Sequence, residues 1–243
     1  MMKKSLYISL LTIVLIGCTS VAAQQGLLNP ADSFTAVSDS SKPKSIFVFM
    51  DGTGNNPNIP TNIYRLFQEI NENNDKQTVG KYIEGVGSVD NPITGITGKA
   101  LAVGMEDRIL KAYAFITQEY QPGDNIYLFG FSRGAHAARS LAGLISYAGI
   151  PKVVVDNERK EQTLKNIGNK ILELTKNVRD SSYVEYWKEW VPGNSPPLTK
   201  LINKKIDTKQ QVQPAEVRFL GVWDTVPGSE FKEENYFGDT DLS

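Results

Sequence analysis

The sequence holds one cysteine and one histidine among its 243 residues. Cys18 has no second thiol to pair with, so an internal disulfide is excluded. An excess of charge of one sign is also missing. The formal net charge is −1, and lysines and arginines are interleaved with acids, which argues against a nucleic-acid partner. The apolar run from Leu6 to Gly17 falls short of the roughly 20 residues that a comfortable membrane span needs. Hydrophobic residues make up 40% of the chain, enough for one α/β domain of fair size and too little for two large ones.

What the amino terminus does carry is an export signal. Lys3 and Lys4 precede that apolar run, whose length suits the core of a signal peptide. It ends in Leu15-Ile16-Gly17-Cys18, which resembles a bacterial lipobox and would leave Cys18 as the lipidated first residue. Thr19 stands where an aspartate would favour retention at the inner membrane, so the expected place is the outer membrane. The rival is ordinary secretory cleavage after Val21-Ala22-Ala23, which would give a periplasmic or secreted protein. Residues 1–17 are thus expected as a lipoprotein signal peptide, 18–43 as a polar tether and 44–243 as the functional domain.

That domain is organised around Asn125 to Leu141. An apolar run with β-branched and aromatic residues enters Gly130-Phe131-Ser132-Arg133-Gly134 and continues as a small, apolar helical pattern. Strand, G-x-S-x-G turn and helix in that order form the context of a nucleophile elbow, which presents a serine at the tip of a tight turn. Gly130 and Gly134 flank Ser132 where a Cβ would not fit. The helix that follows aims its unpaired amides at negative charge forming there.

Upstream, Lys44 to Met50 reads as a buried strand running into the turn cluster Asp51-Gly52-Thr53-Gly54-Asn55-Asn56-Pro57. A phosphotransferase reading of D-G-T fails, because the nucleophilic aspartate would fall at Phe49. The loop suits one half of an oxyanion hole, with an amide from Gly52 or Thr53 facing that of Arg133. The alternative is a plain turn in which Asp51 bonds its own backbone. Ile63, Leu66, Phe67 and Ile70 then fall at helical spacing, and a strand at Lys81-Tyr82-Ile83 leads into Glu84-Gly85-Val86-Gly87-Ser88. A long helix is expected from about Lys99 to Tyr120, with Leu101, Met105, Ile109, Tyr113, Ile116 and Tyr120 as its apolar stripe.

Residues 152–213 read as a helical insertion. Tyr183, Tyr186, Trp187 and Trp190 share one helix face there, either packed on the domain or forming a lid over an acyl pocket. The last strong strand, Glu216 to Trp223, ends at Asp224, on the rim where Ser132 also emerges. Alternating strand and helix signals make the expected fold α/β, a mostly parallel sheet covered by helices.

Five stretches together resemble a known family. They are F-M-D-G-T-G-N-N at Phe49 to Asn56, P-T-N-I-Y-R-L at Pro60 to Leu66, Y-I-E-G-V-G-S at Tyr82 to Ser88, G-F-S-R-G-A-H-A-A-R-S-L-A-G-L-I at Gly130 to Ile145, and F-L-G-V-W-D-T-V at Phe219 to Val226. This combination resembles the bacterial and fungal α/β-hydrolase family that includes the type VI secretion phospholipase effectors. The resemblance implies an α/β-hydrolase fold, Ser132 as nucleophile, Asp224 as the acid that orients the base, and hydrolysis of a phospholipid or similar acyl ester. It implies no metal and no cofactor. The family places its histidine downstream of the acid, and no histidine follows Asp224 here. His136 lies one turn into the elbow helix, a poor position for reaching Ser132 Oγ and Asp224 together, and is read as structural. Two further expectations follow: a catalytically impaired lipoprotein that binds lipid or an envelope partner, or a truncated gene product.

Overall fold

The computed structural model describes residues 32–73, 77–87, 98–152, 160–188, 199, 203 and 211–226, with the backbone alone for 98–103 and 176–188. The signal peptide, Cys18, Ser88, Trp190 and everything after Val226 lie outside these residues.

Two strongly apolar runs, Ser45–Met50 (β2) and Asn125–Phe131 (β4), pair in parallel at the middle of a five-stranded sheet. Beyond β2 lie Gln77–Ile83 (β3), parallel to it, and Ser33–Val37 (β1), antiparallel to β3. Beyond β4 lies Val217–Trp223 (β7), again parallel. The order is therefore β1-β3-β2-β4-β7. The chain leaves β2 in one direction and comes back to pair on its other side, so the carboxyl ends of β2 and β4 flank a switch point, where open α/β sheets hold their sites.

Period-two alternation gives the sheet two apolar faces. Ile46, Val48, Met50, Ile126 and Leu128 lie in the larger core, with the long helix Gly98–Glu119 (α2) and with Arg133–Ala148 (α3). Met105, Ile109, Tyr113 and Ile116 are buried as the stripe on α2 predicts, and the Tyr113 hydroxyl donates to Gly149 O at 2.6 Å. On the other face Phe49 and Tyr82 pack with Ile63 and Phe67 of Asn62–Glu72 (α1). Thr61 starts α1 by accepting from Ile63 N and Tyr64 N. Aromatic rings run across this face, Phe47 on Tyr127 at 4.8 Å and Phe49 on Phe129 at 5.3 Å.

Two features differ from the sequence expectation. Residues 33–37, placed in the tether, form the edge strand β1, whose Phe34 ring lies over Gly80 where a Cβ would stand 2.2 Å away. Second, the 152–213 insertion is closed at its base by Ile150–Pro151 (β5) pairing antiparallel with Val212–Gln213 (β6). As a helical insertion predicts, the segment holds the helix Lys160–Lys188 (α4), which packs on α2 through Leu164, Ile167, Ile171 and Leu172. Tyr183, Tyr186 and Trp187 fall within α4, but their side chains are outside the described residues, as is the choice between packing and a lid.

The opposite end of the central pair is held by a buried ion pair. Lys44 Nζ meets Asp124 Oδ2 at 2.7 Å, Lys44 N donates to Asp124 Oδ1 at 2.8 Å, and both side chains are less than a tenth exposed. Removing one partner strands a buried charge. Asp124→Ala is expected to cost about 3–5 kcal/mol in urea unfolding, and Lys44→Met with Asp124→Leu together much less than either alone.

Candidate functional site

Register places the candidate residues. Met50 pairs with Gly130, and Gly130 with Val222. Two residues further along the chain, just past the carboxyl ends of the three strands, stand Gly52, Ser132 and Asp224. The Gly52–Ser132 approach is close: a Cβ on Gly52 would come within 3.1 Å of Ser132 Cβ. The Ser132–Asp224 approach is made by the main chain, where Ser132 N donates to Trp223 O at 2.9 Å and Val226 N donates to Ser132 O at 3.3 Å.

Ser132 turns the chain from β4 into α3 with φ 54° and ψ −124°. Among the described residues, Ser132 and Asp224 are the two non-glycine positions with positive φ, the latter at 47°. Such backbones cost about 1–3 kcal/mol each and persist where the surroundings impose them. Ser132 occupies the N-cap position of α3, yet its hydroxyl makes no capping hydrogen bond, so it is not spent on the helix amides.

The flanking glycines are there because of backbone contact. A Cβ at Gly130 would lie 2.5 Å from Gly134 O, and one at Gly134 would lie 2.1 Å from Met50 O. Both are far inside van der Waals distance, so α3 reaches the end of β2 only without those side chains.

The loop after β2 is tied at almost every residue. Gly52 N donates to Asp51 Oδ1 at 2.7 Å, Gly54 N to Val86 O at 3.0 Å, and Asn55 N to Gly52 O at 3.1 Å. Of the two amides weighed for the oxyanion, that of Gly52 is thus already committed, whereas Thr53 N has no partner among the described residues. The predicted self-bonding turn is real as well, since Asp51 holds the amide that follows it. Arg133 is the first residue of α3, too early in the helix for its amide to have an intrahelical partner.

Sequence reasoning missed the groups beneath this loop. Asp51 is fully buried, and its Oδ2 accepts from Thr61 Oγ1 and from Tyr82 OH, both at 2.7 Å. Arg108, buried in α2, donates through Nη2 to Asp51 O. Burial pushes the Arg108 guanidinium down to about 10, opposed by Asp51 and Tyr82 and reinforced by Arg133. Burial and the hydrogen bond to Asp51 raise Tyr82 far above the usual phenol range. The readable signal was Arg108 itself, a charge three residues after Met105 on the apolar face of α2.

His136 is one turn into α3 and its backbone N donates to Ser132 O at 3.3 Å. Among the described residues no group of three or more His, Cys, Asp or Glu is placed to hold a metal ion, and no helix is long and apolar enough to cross a membrane.

Fold and site define an α/β protein that presents a serine on a strained strand-to-helix turn, beside an aspartate from the neighbouring strand end. The family model described as "T6SS, Phospholipase effector Tle1-like, catalytic domain" matches residues 44–238, and the chain belongs to that family. The uncharacterized protein YEL023C of Saccharomyces cerevisiae is 33% identical over 133 residues, which covers 49% of this chain and 20% of the yeast protein. The chain thus spans about a fifth of that relative's length. No solved structure matches it.

A residue without Cβ relieves the strained turn at Ser132. Ser132→Gly is expected to raise stability by about 1 kcal/mol in urea unfolding, while Gly134→Ala lowers it by about 1–3 kcal/mol.

Proposed function

We propose that the chain is a serine ester hydrolase of α/β-hydrolase type, acting on a phospholipid or a similar acyl ester. The phospholipase effector family supports lipid hydrolysis. The observation that carries the serine reading is the pair of positive-φ positions, Ser132 and Asp224, side by side at the carboxyl ends of β4 and β7, with the glycine loop after β2 on the other side of Ser132.

In this reading Ser132 Oγ attacks the ester carbonyl carbon and the carbonyl oxygen takes up negative charge. The amides of Arg133 and Thr53 donate to that oxygen, and the partial positive charge at the start of α3 adds to them. Collapse of the intermediate expels the alcohol and leaves an acyl-serine for water to cleave. Asp224 orients the base that takes the serine proton. His136, one turn into α3, is read as structural rather than as that base. Without a base, the nucleophile and its oxyanion donors alone supply roughly 10³–10⁴-fold over water.

The domain is proposed to be held at the bacterial outer membrane through Cys18, with residues 1–17 removed; Lys3, Lys4 and the Leu15-Ile16-Gly17-Cys18 pattern support this. Its partners are then a lipid substrate and the membrane carrying the anchor.

A fluorophosphonate probe is expected to label Ser132 and to leave Ser132→Ala untouched; a wild-type protein that stays unlabelled beside a labelled control hydrolase rejects the catalytic reading. For the anchor, Cys18→Ser is expected to abolish palmitate incorporation and release the protein from the membrane fraction. Equal incorporation in both forms would reject the lipoprotein.

A further inference from the structure

We infer that Asp51 is a positioning residue which helps aim the Thr53 amide by fixing the peptide plane on the near side of Gly52. The inference rests on the hydrolase reading and deepens it, since Asp51 itself would touch no substrate.

Every polar atom of Asp51 is engaged. Its N donates to Ile83 O at 2.9 Å, its O accepts from Arg108 Nη2, Oδ1 accepts from Gly52 N, and Oδ2 accepts from Thr61 Oγ1 and Tyr82 OH. These partners come from β3, α1 and α2, so the residue is located by three elements at once. The bond to Gly52 N fixes the plane of the peptide between residues 51 and 52.

The next peptide plane contains the amide in question. In a trans peptide the C=O and the following N–H point in opposite directions, so the direction of Thr53 N–H is set by Gly52 O. That oxygen accepts from Asn55 N at 3.1 Å and faces Gly85, where a Cβ would stand only 1.7 Å from it. Thr53 N–H therefore points away from Gly85. Gly52 Cα, between the two planes, lies against Ser132. An amide whose direction is fixed before substrate arrives needs no reorganisation when charge develops, and this is the origin of its value. Gly52 alone would wander, having the widest conformational freedom of any residue. The Asp51 carboxylate removes that freedom on one side by taking the glycine amide, and Asn55 N removes it on the other by holding Gly52 O.

A purely structural role would also explain a buried, fully bonded aspartate, so the test must separate the two. Saturation kinetics of fluorophosphonate labelling at Ser132 give a maximal rate and a half-saturation concentration for each variant. Asp51→Ala is expected to lower the maximal rate about 100-fold, the worth of one oxyanion donor, with half-saturation within a few-fold of wild type. Asp51→Asn keeps an acceptor for Gly52 N and should recover most of that rate. Tyr82→Phe removes a donor to Oδ2 and leaves the Gly52 bond, so it should lose stability yet label at close to the wild-type rate. Should Asp51→Ala not fold, Asp51→Ser, with its shorter reach to the Gly52 amide, carries the same comparison. Labelling rates that follow the stability losses across all variants, or an Asp51→Ala rate equal to wild type, overturn the inference and leave the hydrolase reading standing. A wild-type protein that does not label overturns both.

Discussion

Everything at the site depends on how near one helix can come to the ends of two strands. Gly134 lets the first turn of α3 sit against Met50 O and Asp51 O, and Gly130 lets the same turn fold back on its own strand. A single methyl at either place would meet backbone atoms, which have no rotamer to yield. Because this contact is closed, Ser132 has no choice but the narrow turn between β4 and α3, and the glycine loop after β2 has no choice but to lie beside it. The aspartate then arrives by register alone, as the residue after a seven-residue strand parallel to β4.

Close approach also explains the charge buried below. Packing three chain segments together removes water from the carbonyls at the strand ends, and these need donors. Arg108 answers for Asp51 O, and Asp51 in turn takes the donors of Gly52, Thr61 and Tyr82. A buried arginine beside a buried aspartate costs desolvation on both, and the depressed proton affinity of Arg108 records it. The return is a loop with one peptide direction rather than several. At the far end of the sheet Lys44 and Asp124 tie β2 to β4 by the same means, so the central pair is held at both ends.

How much of this was legible in the sequence follows from which forces are local. The central strands, the elbow and the α2 stripe were readable because hydrophobic periodicity and glycine placement are written in consecutive residues. Strand β1 was not: Ser33-Phe34-Thr35-Ala36-Val37 sits in a stretch of polar and turn-forming residues, and only pairing with β3 makes it a strand. The β5–β6 ladder joins two pairs of residues some 60 positions apart, below the length at which any pattern repeats. Gly52 and Thr53 could not be told apart because the choice lies in where Asp51 Oδ1 points. Arg108 was visible as a charge on an apolar face, but its partner carbonyl was not.

The two strained backbones remain to be accounted for energetically. At about 1–3 kcal/mol each, Ser132 and Asp224 hold conformations that an isolated peptide would abandon. The main chain of Ser132 is bonded on both sides: its N donates to Trp223 O, and its O accepts from Ala135, His136 and Val226. Two of these bonds go to Trp223 and Val226, on either side of Asp224, so each strained residue braces the other. Net contributions of about 1 kcal/mol per hydrogen bond are of the same size as the strain they offset. The two turns are joined by these bonds, so a substitution that loosens the end of β7 should also relax Ser132, even though it touches no side-chain atom of the serine.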